Sequence, residues 1–235
     1  MKQMKRFAMT VAACLWVGGA LANSGSISQL SGTLSVKKPD GTVRILSSKS
    51  EIRSGDQLNT EKDSYAQIKF SDGGQITMKP NTVIKIDNFS FDETKPKEDS
   101  FLFSLLKGGM RAVTGLVGKR GDSDAYRMGT ATATVGIRGT TYSADDCVNT
   151  RAGDCSRIEP AVYVSVADGE IVVRNQNGEQ AYTAGQFGMI SPNQRPLFLS
   201  TDPGLQFTPP ASFIQSVQTG SVVNSGKSLE CVVRR

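Results

Sequence analysis

The sequence contains no histidine, the side chain that most often serves as a general base or a metal ligand. Histidine-based triads and cysteine–histidine dyads are therefore excluded, although carboxylate, lysine and arginine chemistry remain available. Cysteine is also scarce, with four residues in a chain of 235. Because the cysteines lack the paired short spacing of a zinc site, we predict no metal and no cofactor.

Long apolar runs are also missing. The longest spans residues 7–20 and is shorter than the roughly 20 residues that a membrane helix needs. It follows a basic start and ends in the small-residue pattern Ala20-Leu21-Ala22. We therefore predict a cleaved secretory signal peptide at residues 1–22, with no membrane span in the mature chain. A retained anchor and a lipoprotein cleavage box ending at Cys14 are the alternatives.

Excess charge is small once the signal peptide is removed. The whole chain has 27 Lys and Arg against 22 Asp and Glu, a net charge of +5. Removal of Lys2, Lys5 and Arg6 leaves 24 basic residues and a net charge of +2. The aromatic residues do not interleave with basic clusters, so we predict no nucleic-acid partner.

Helical periodicity is almost absent, and short alternating runs separated by turn signals take its place. "TLSVKKPDGTVRIL" alternates around a Pro-Asp-Gly turn, and "SYAQIKFSDGGQITMKPNTVIKI" alternates around Asp-Gly-Gly. Both patterns predict hairpins. The sequence therefore indicates an all-β fold over residues 23–200, followed by an irregular C-terminal tail at residues 201–235.

A weak internal repeat bears on the kind of β fold. Two distant stretches share a glycine spacing of nine residues, from Gly32 to Gly41 and from Gly169 to Gly178, and each has a further glycine downstream, at Gly55 and at Gly185. Recurring hairpins favour a compact β-solenoid or β-roll, in which similar units cover one another. A β-sandwich is the alternative because it gives the same alternation. Between the repeats, residues 92–99 predict a charged loop, and Lys107-Gly108-Gly109 predicts a break between two strands.

Two cysteines are suited to pairing. Cys147 and Cys155 flank a short polar segment, and in an oxidising compartment they could close a small disulfide loop. Cys231 is then left over, either as a free thiol, as a link to another chain, or as a partner of one of the other two. The connectivity stays open at this point.

Several aspartates could in principle serve a glycan-cleaving enzyme, since two carboxylates suffice for that reaction. Three precede a glycine in a predicted turn: Asp40, Asp72 and Asp168. Three more surround the predicted disulfide loop: Asp145, Asp146 and Asp154. Turn formation explains the first group and solvation the second, so we predict no catalytic residues.

The stretch Gly136-Ile137-Arg138-Gly139-Thr140 poses the sharpest question in the chain. In a strand, Val135 and Ile137 would point to one face and Gly136 and Arg138 to the other. The glycines would allow another backbone to approach, and the guanidinium has five donors for nearby carbonyls. We therefore predict a structural clasp at Arg138; the competing interpretation is that Arg138 grips an anionic ligand or partner.

The segment "TATATVGIRGTTY" resembles the signature of the FecR-type periplasmic domain family. Upstream, "SGDQLNTEKDSYAQIKFSDGGQITMKPNTVIKI" is similar to that family's Gly-Asp, strand, Asp-Gly, strand pattern. Downstream, "VYVSVADGEIVVRNQNGEQAYTAGQFGMI" resembles its closing hairpin and Ala-Gly-Gln turn. The resemblance covers about residues 30–190.

The resemblance implies a non-enzymatic, partly solenoidal module of the bacterial envelope. In the namesake arrangement, a cytoplasmic anti-sigma region and a membrane span precede this domain, which responds to an outer-membrane transporter. Neither is expected in this chain. The leading hypothesis is an exported periplasmic or secreted domain that binds an envelope protein or a cell-wall component. A self-associating structural or adhesive module and a polysaccharide-active enzyme are the alternatives.

Overall fold

The structure is a computed structural model that describes residues 24–120, 122, 124–151, 153–205, 207, 209, 211 and 213. The signal peptide predicted at residues 1–22 and the unassigned Cys231 lie outside the described residues. Most of the tail predicted at residues 201–235 does so too. Within the described ranges, no helix has both the length and the apolar character needed to cross a membrane.

Strands dominate the described chain, so the all-β prediction is confirmed. A four-residue helix, α1 (Val117–Arg120), and two single 3-10 turns at Pro96–Glu98 and Gly153–Ser156 are its helical elements. The strands are β1 (Gly25–Ser31), β2 (Leu34–Lys37), β3 (Val43–Leu46), β4 (Glu51–Ile52), β5 (Gln57–Thr60), β6 (Tyr65–Phe70), β7 (Gln75–Met78), β8 (Val83–Ser90), β9 (Ser100–Val113), β10 (Tyr126–Gly129), β11 (Thr134–Asp146), β12 (Val162–Asn175), β13 (Gly178–Thr183), β14 (Phe187–Ile190) and β15 (Leu197–Leu199).

All these strands belong to one mixed sheet with two branches that share three long strands. Branch one runs in the order β3, β2, β5, β8, β9, β10, β11, β12 and β13. Branch two runs in the order β4, β1, β6, β7, β9, β11, β12, β14 and β15. Strands β9, β11 and β12 therefore contribute one half to each branch. All pairs are antiparallel except β9 with β10.

A glycine with positive φ marks the point where each shared strand passes between the branches. These are Gly108 in β9 with φ of 82°, Gly139 in β11 with 62°, and Gly169 in β12 with 81°. Positive φ strains residues that carry a Cβ, so glycine is favoured at all three points. The break predicted at residues 107–109 is therefore wrong: the chain bends there, but β9 continues through it.

The core lies between the two branches and is filled by the alternating apolar side chains that the sequence indicated. Phe70 of branch two contacts Phe89 and Phe101 of branch one, with ring centroids 5.1 and 4.5 Å apart. Tyr142 of branch two donates its hydroxyl to the Met128 sulfur of branch one at 3.9 Å. Because rings of both branches interdigitate, the branches share one hydrophobic core.

Buried threonines join neighbouring elements along the line of crossings. The Thr60 hydroxyl donates to the Lys79 carbonyl at 2.6 Å and accepts the Thr82 amide at 3.0 Å. The Thr82 hydroxyl donates to the Gly109 carbonyl at 2.9 Å. These bonds satisfy backbone groups that the bends remove from the strand ladders.

The two glycine-spaced hairpins predicted from the sequence are both present. They are β2 with β3 and β12 with β13, which lie at opposite ends of branch one. All six repeated glycines have positive φ: Gly32, Gly41, Gly55, Gly169, Gly178 and Gly185. The repeat therefore reflects a shared demand for left-handed backbone at corresponding turns. The predicted loop at residues 92–99 is also present, with a 3-10 turn inside it.

Candidate functional site

The signature residues lie in the first half of β11, where the strand has one buried and one open face. Val135 and Ile137 are buried in the core, at 0% and 3% exposure. Gly136 and Arg138 alternate with them and point outward from branch one. The alternation predicted for this segment is therefore confirmed.

Thr140 holds the bend that follows the signature glycine. Its amide donates to the Thr114 hydroxyl at 2.7 Å, and its carbonyl accepts the Thr114 amide at 3.0 Å. Its own hydroxyl donates to the Glu170 carbonyl at 2.7 Å. Thr140 thus ties β11 both to the residue that follows β9 and to β12. The sequence placed Thr140 in a signature with a structural role, but the joining role itself was predicted for Arg138.

The side chain of Arg138 is exposed, and its guanidinium makes no hydrogen bond or ion pair with the part of the chain that the structure describes. The predicted clasp of neighbouring carbonyls is therefore not formed. The close approach of another backbone, predicted at Gly136 and Gly139 of β11, occurs instead at Gly169 of the neighbouring strand β12. A Cβ on Gly136 or Gly139 would have no neighbour nearer than 3.7 Å, whereas a Cβ on Gly169 would lie 2.6 Å from the Gly139 carbonyl oxygen.

An open groove runs across the strands of branch one above Gly136. Its floor is a row of residues that the register places side by side: Arg127, Gly136, Val172 and Ala181. Gly136 has no side chain and Val172 is half-buried, so the floor is low at its centre and Arg127 closes one end. The groove has a volume of 520 Å³, within the range of about 300–1,000 Å³ common for ligand sites.

Charged side chains of both signs form the walls of the groove. The walls are Thr134, Arg174 and Glu179 on one side, and Arg138 and Glu170 on the other, and Asp124 also lines the groove. Arg174 pairs with Glu179 at 2.8 Å, with both side chains more than half exposed. The Arg127 side chain, like that of Arg138, has no ion pair or hydrogen bond within the described chain. Two guanidinium groups are therefore available to an incoming carboxylate or phosphate.

The loop after β11 is closed by a disulfide between Cys147 and Cys155, one of the pairings that the sequence left open. Cys147 is fully buried and Cys155 is 5% exposed. Together with Ala161 and Tyr163 they form a second small apolar cluster, on which Leu205 packs. The disulfide therefore also forms part of the apolar surface on which the segment after β15 packs.

Loss of this disulfide is expected to lower the free energy of unfolding by about 2–3 kcal/mol, because the unfolded chain gains loop entropy. The variant to measure is the double substitution Cys147→Ser/Cys155→Ser, which leaves no unpaired loop thiol. Urea unfolding should show this loss. Wild-type protein treated with a reductant is the control, and a double variant as stable as oxidised wild type would contradict the expectation.

Two of the three aspartates predicted in turns have structural roles there, whereas Asp168 lies within β12, so the turn predicted for it is wrong. Asp72 is 3% exposed, and its carboxylate accepts the amides of Gly74 at 2.9 Å and Val117 at 3.3 Å. Burial raises the pKa of Asp72 above its ordinary value, against the opposing effect of these hydrogen bonds. Asp40 accepts the Thr42 amide at 2.8 Å, which lowers its pKa. Both carboxylates are therefore used in shaping turns.

Asp145, one of the acids near the disulfide loop, forms a buried ion pair. Its carboxylate lies 2.7 Å from the Lys79 ammonium, and neither side chain is more than 14% exposed. Burial raises the pKa of Asp145, and Lys79 acts in the opposite direction. Asp145 borders a cavity of 240 Å³ between branch two and the segment that carries Phe207. Among the described residues, no cluster of three or more His, Cys, Asp or Glu side chains could hold a metal ion.

Comparison with protein families identifies the signature region. The family model described as "FecR protein" matches residues 56–172. The match spans the hairpin of β6 and β7, the shared strand β9 and the whole of β11. The resemblance predicted from the signature is therefore confirmed over these residues.

Comparison with solved structures gives distant likenesses. Two crystal structures described as "a putative anti-sigma factor from Parabacteroides distasonis ATCC 8503" are 16% and 15% identical to this chain, with TM-scores of 0.46 and 0.45. Each comparison covers 63% of this chain and 60% of that one. A "Cell surface anchoring domain" is 24% identical over 26% of this chain and 80% of its own, with a TM-score of 0.25. Curated proteins gave no match.

Proposed function

Residues 56–172 belong to the FecR protein family, and on this basis we propose that the protein is a non-enzymatic binding and signalling module of the bacterial periplasm or outer cell envelope. In this proposal, residues 1–22 are a secretory signal peptide that is removed during export. The module then acts by holding a partner protein, with no catalytic step. Its binding site is the groove above Gly136.

The observation that carries the proposal is the pair of free guanidinium groups at the groove. Arg127 lies at one end of the floor and Arg138 on one wall, and both are next to the position that Gly136 leaves without a side chain. An arginine that stabilised the fold would be expected to pair with a carbonyl or a carboxylate, and neither of these does so within the described chain. Exposed, unpaired arginines beside an empty floor are better explained as donors for a ligand.

The mixed charge of the walls indicates the class of ligand. Arg127 and Arg138 suit a carboxylate, and Glu170 beside Arg138 suits an amine or an amide. A peptide chain carries all of these groups. We therefore propose that the groove holds an extended segment of another envelope protein. The stem peptide of the cell wall, which has similar groups, is the second possible occupant.

The proposal can be tested by photocrosslinking in the native envelope. A photoreactive amino acid at Ala181, which is exposed at the end of the groove floor, should attach the occupant. Mass spectrometry then identifies what is attached. A protein such as a transporter or a membrane signalling protein supports the proposal, whereas cell-wall fragments would replace the protein partner by the wall.

Two substitutions should remove the crosslink without unfolding the chain. Gly136→Val fills the groove floor, and its Cβ has 3.7 Å to the nearest atom, so we expect stability within about 1 kcal/mol of wild type. Arg138→Ala removes a free guanidinium and should weaken capture by about tenfold, with stability within about 0.5 kcal/mol. Lys69→Ala, which removes an exposed and unpaired cation of branch two, is the matched control. Unchanged crosslinks in both groove variants would exclude the groove as the site.

We also propose that the sheet winds as a roll, the form that the sequence pattern favoured over a sandwich. Three strands continue from one branch into the other, whereas the two sheets of a sandwich are usually joined by loops. The positive-φ glycines allow this continuation. This arrangement leaves the outward face of branch one uncovered, which is the face that carries the groove.

A further inference from the structure

Strand β3 forms one end of branch one and has one free edge. In the described chain it pairs with β2 alone. Two of its four side chains, Val43 and Ile45, are 63% and 68% exposed and are the most exposed large hydrophobic residues in that part of the chain. Unpaired backbone groups beside exposed β-branched side chains are a template for one more strand.

The other outer strands are short or covered. β4 has two residues and β15 has three. β13 is longer, but Arg195 donates to the Glu179 carbonyl from Nε at 3.1 Å and from Nη2 at 2.8 Å. This guanidinium occupies an acceptor that an added strand would need. β3 has four residues, and no side chain of the described chain occupies its outer acceptors, so its edge is more open than these.

The charges around β3 indicate what kind of strand would pair with its free edge. Lys37, Arg44 and Lys49 have no ion pair among the described residues. Of the nearby acids, Asp56 pairs with Lys38 at 2.7 Å, whereas Asp40 accepts the amide of its own turn and keeps its charge, so the three cations outnumber it. The free edge is therefore basic. A strand with acidic residues would find charge partners there, whereas a basic one would be repelled.

The position of Arg44 also bears on pairing between two copies of this chain. Arg44 is exposed, pairs with Val36 of β2, and lies on the same face of β3 as the buried Leu46. Two copies paired antiparallel about Arg44 would bring two guanidinium groups directly opposite each other, which is destabilising. An acidic residue in the same place would be stabilising. The edge is thus better suited to a foreign strand than to itself.

We propose that β3 is a second binding edge, distinct from the groove, which accepts one extended segment of a partner protein. The segment adds a strand to branch one. It places apolar side chains beside Val43 and Ile45 and a carboxylate beside Arg44. Backbone hydrogen bonds supply most of the affinity, and Arg44 supplies the preference for acidic sequences.

The test measures fluorescence anisotropy of labelled synthetic peptides with the purified protein. One peptide alternates valine with glutamate, and the other replaces each glutamate by lysine. We expect the wild-type protein to bind the glutamate peptide at least about tenfold more tightly. Arg44→Glu should reverse this preference, and Ile45→Lys should weaken binding of the glutamate peptide. Because the altered side chains are exposed, the variants should melt as wild type does.

Three outcomes would overturn the proposal. These are no binding of the glutamate peptide, equal binding of both peptides, or a preference that Arg44→Glu leaves unchanged. Analytical ultracentrifugation provides a separate check, because a dimer that Ile45→Lys dissociates would assign the edge to a second copy. Gly136→Val should bind the glutamate peptide as wild type does, so failure of the groove proposal and of this one can be told apart.

Discussion

Lys79→Met is expected to lower the free energy of unfolding by about 3–5 kcal/mol at about pH 7. The substitution keeps most of the side-chain stem and removes the ammonium that lies 2.7 Å from the Asp145 carboxylate. Asp145 would then be a buried charge without its cation. Removing one member of a buried ion pair is costly for this reason, even where the pair itself adds little net stability.

The size of this loss should depend on pH. Burial already raises the pKa of Asp145 above its ordinary value of 3.8, and loss of Lys79 removes the interaction that lowers it. The folded-state pKa then exceeds the unfolded one by more than in wild type, so the folded variant binds more protons between the two values. Its stability therefore falls as pH rises from about 3.8 through the folded-state pKa. Urea unfolding should show a smaller deficit at about pH 4 than at about pH 7.

Two further variants separate the charge effect from packing. Lys69→Met removes an exposed, unpaired lysine and should change stability by no more than about 0.5 kcal/mol. Adding Asp145→Asn to Lys79→Met removes the stranded charge and should restore part of the stability at about pH 7. If the double variant recovers nothing and the deficit is the same at both pH values, the loss comes from packing and the ion-pair argument is wrong.

Gly169→Ala is expected to cost about 2–5 kcal/mol, from two separate causes. The residue has φ of 81°, where an L side chain is strained by about 1–2 kcal/mol. The new Cβ would also lie 2.6 Å from the Gly139 carbonyl oxygen, and β11 or β12 would have to shift. That shift would disturb the bond from the Thr140 hydroxyl to the Glu170 carbonyl.

Gly185→Ala isolates the first of these causes. Gly185 has the same φ of 81°, but a Cβ there would have no atom within 4 Å. Its expected cost is therefore the backbone strain alone, about 1–2 kcal/mol. Thermal melting of both variants measures the difference. Equal losses would mean that the contact between Gly139 and Gly169 does not limit the packing of β11 against β12.

The strands were predicted well from the sequence because alternation and turn residues are determined by a few neighbouring residues. Alternation around Ile68 and Phe70, and turn residues such as Gly41 and Gly73, specify a buried face and a left-handed corner within a few residues. The spacing of Cys147 and Cys155 likewise indicated a disulfide that the structure contains. These features need no knowledge of the rest of the chain.

The groove and the bends were less predictable because they depend on distant pairings. Gly108 looked like a break, since a glycine pair within an apolar run gives the same signal for a turn and for a bend in a continuous strand. Arg127 and Arg174 had no local signal that linked them to Arg138. They meet because β10 and β12 both pair with β11, a register that cannot be read from any one segment.

Because β9, β11 and β12 belong to both branches, the sheet has no boundary along which the two branches could separate. Opening branch two would separate the second halves of β9 and β11 from each other. The first halves of the same two strands are hydrogen-bonded within branch one, so they would be disturbed as well. We therefore expect both branches to open together, as one cooperative unit. A ligand held in the groove would then slow amide exchange in strands that it never touches. The bends in the backbone thus make a local binding event detectable on the opposite side of the molecule.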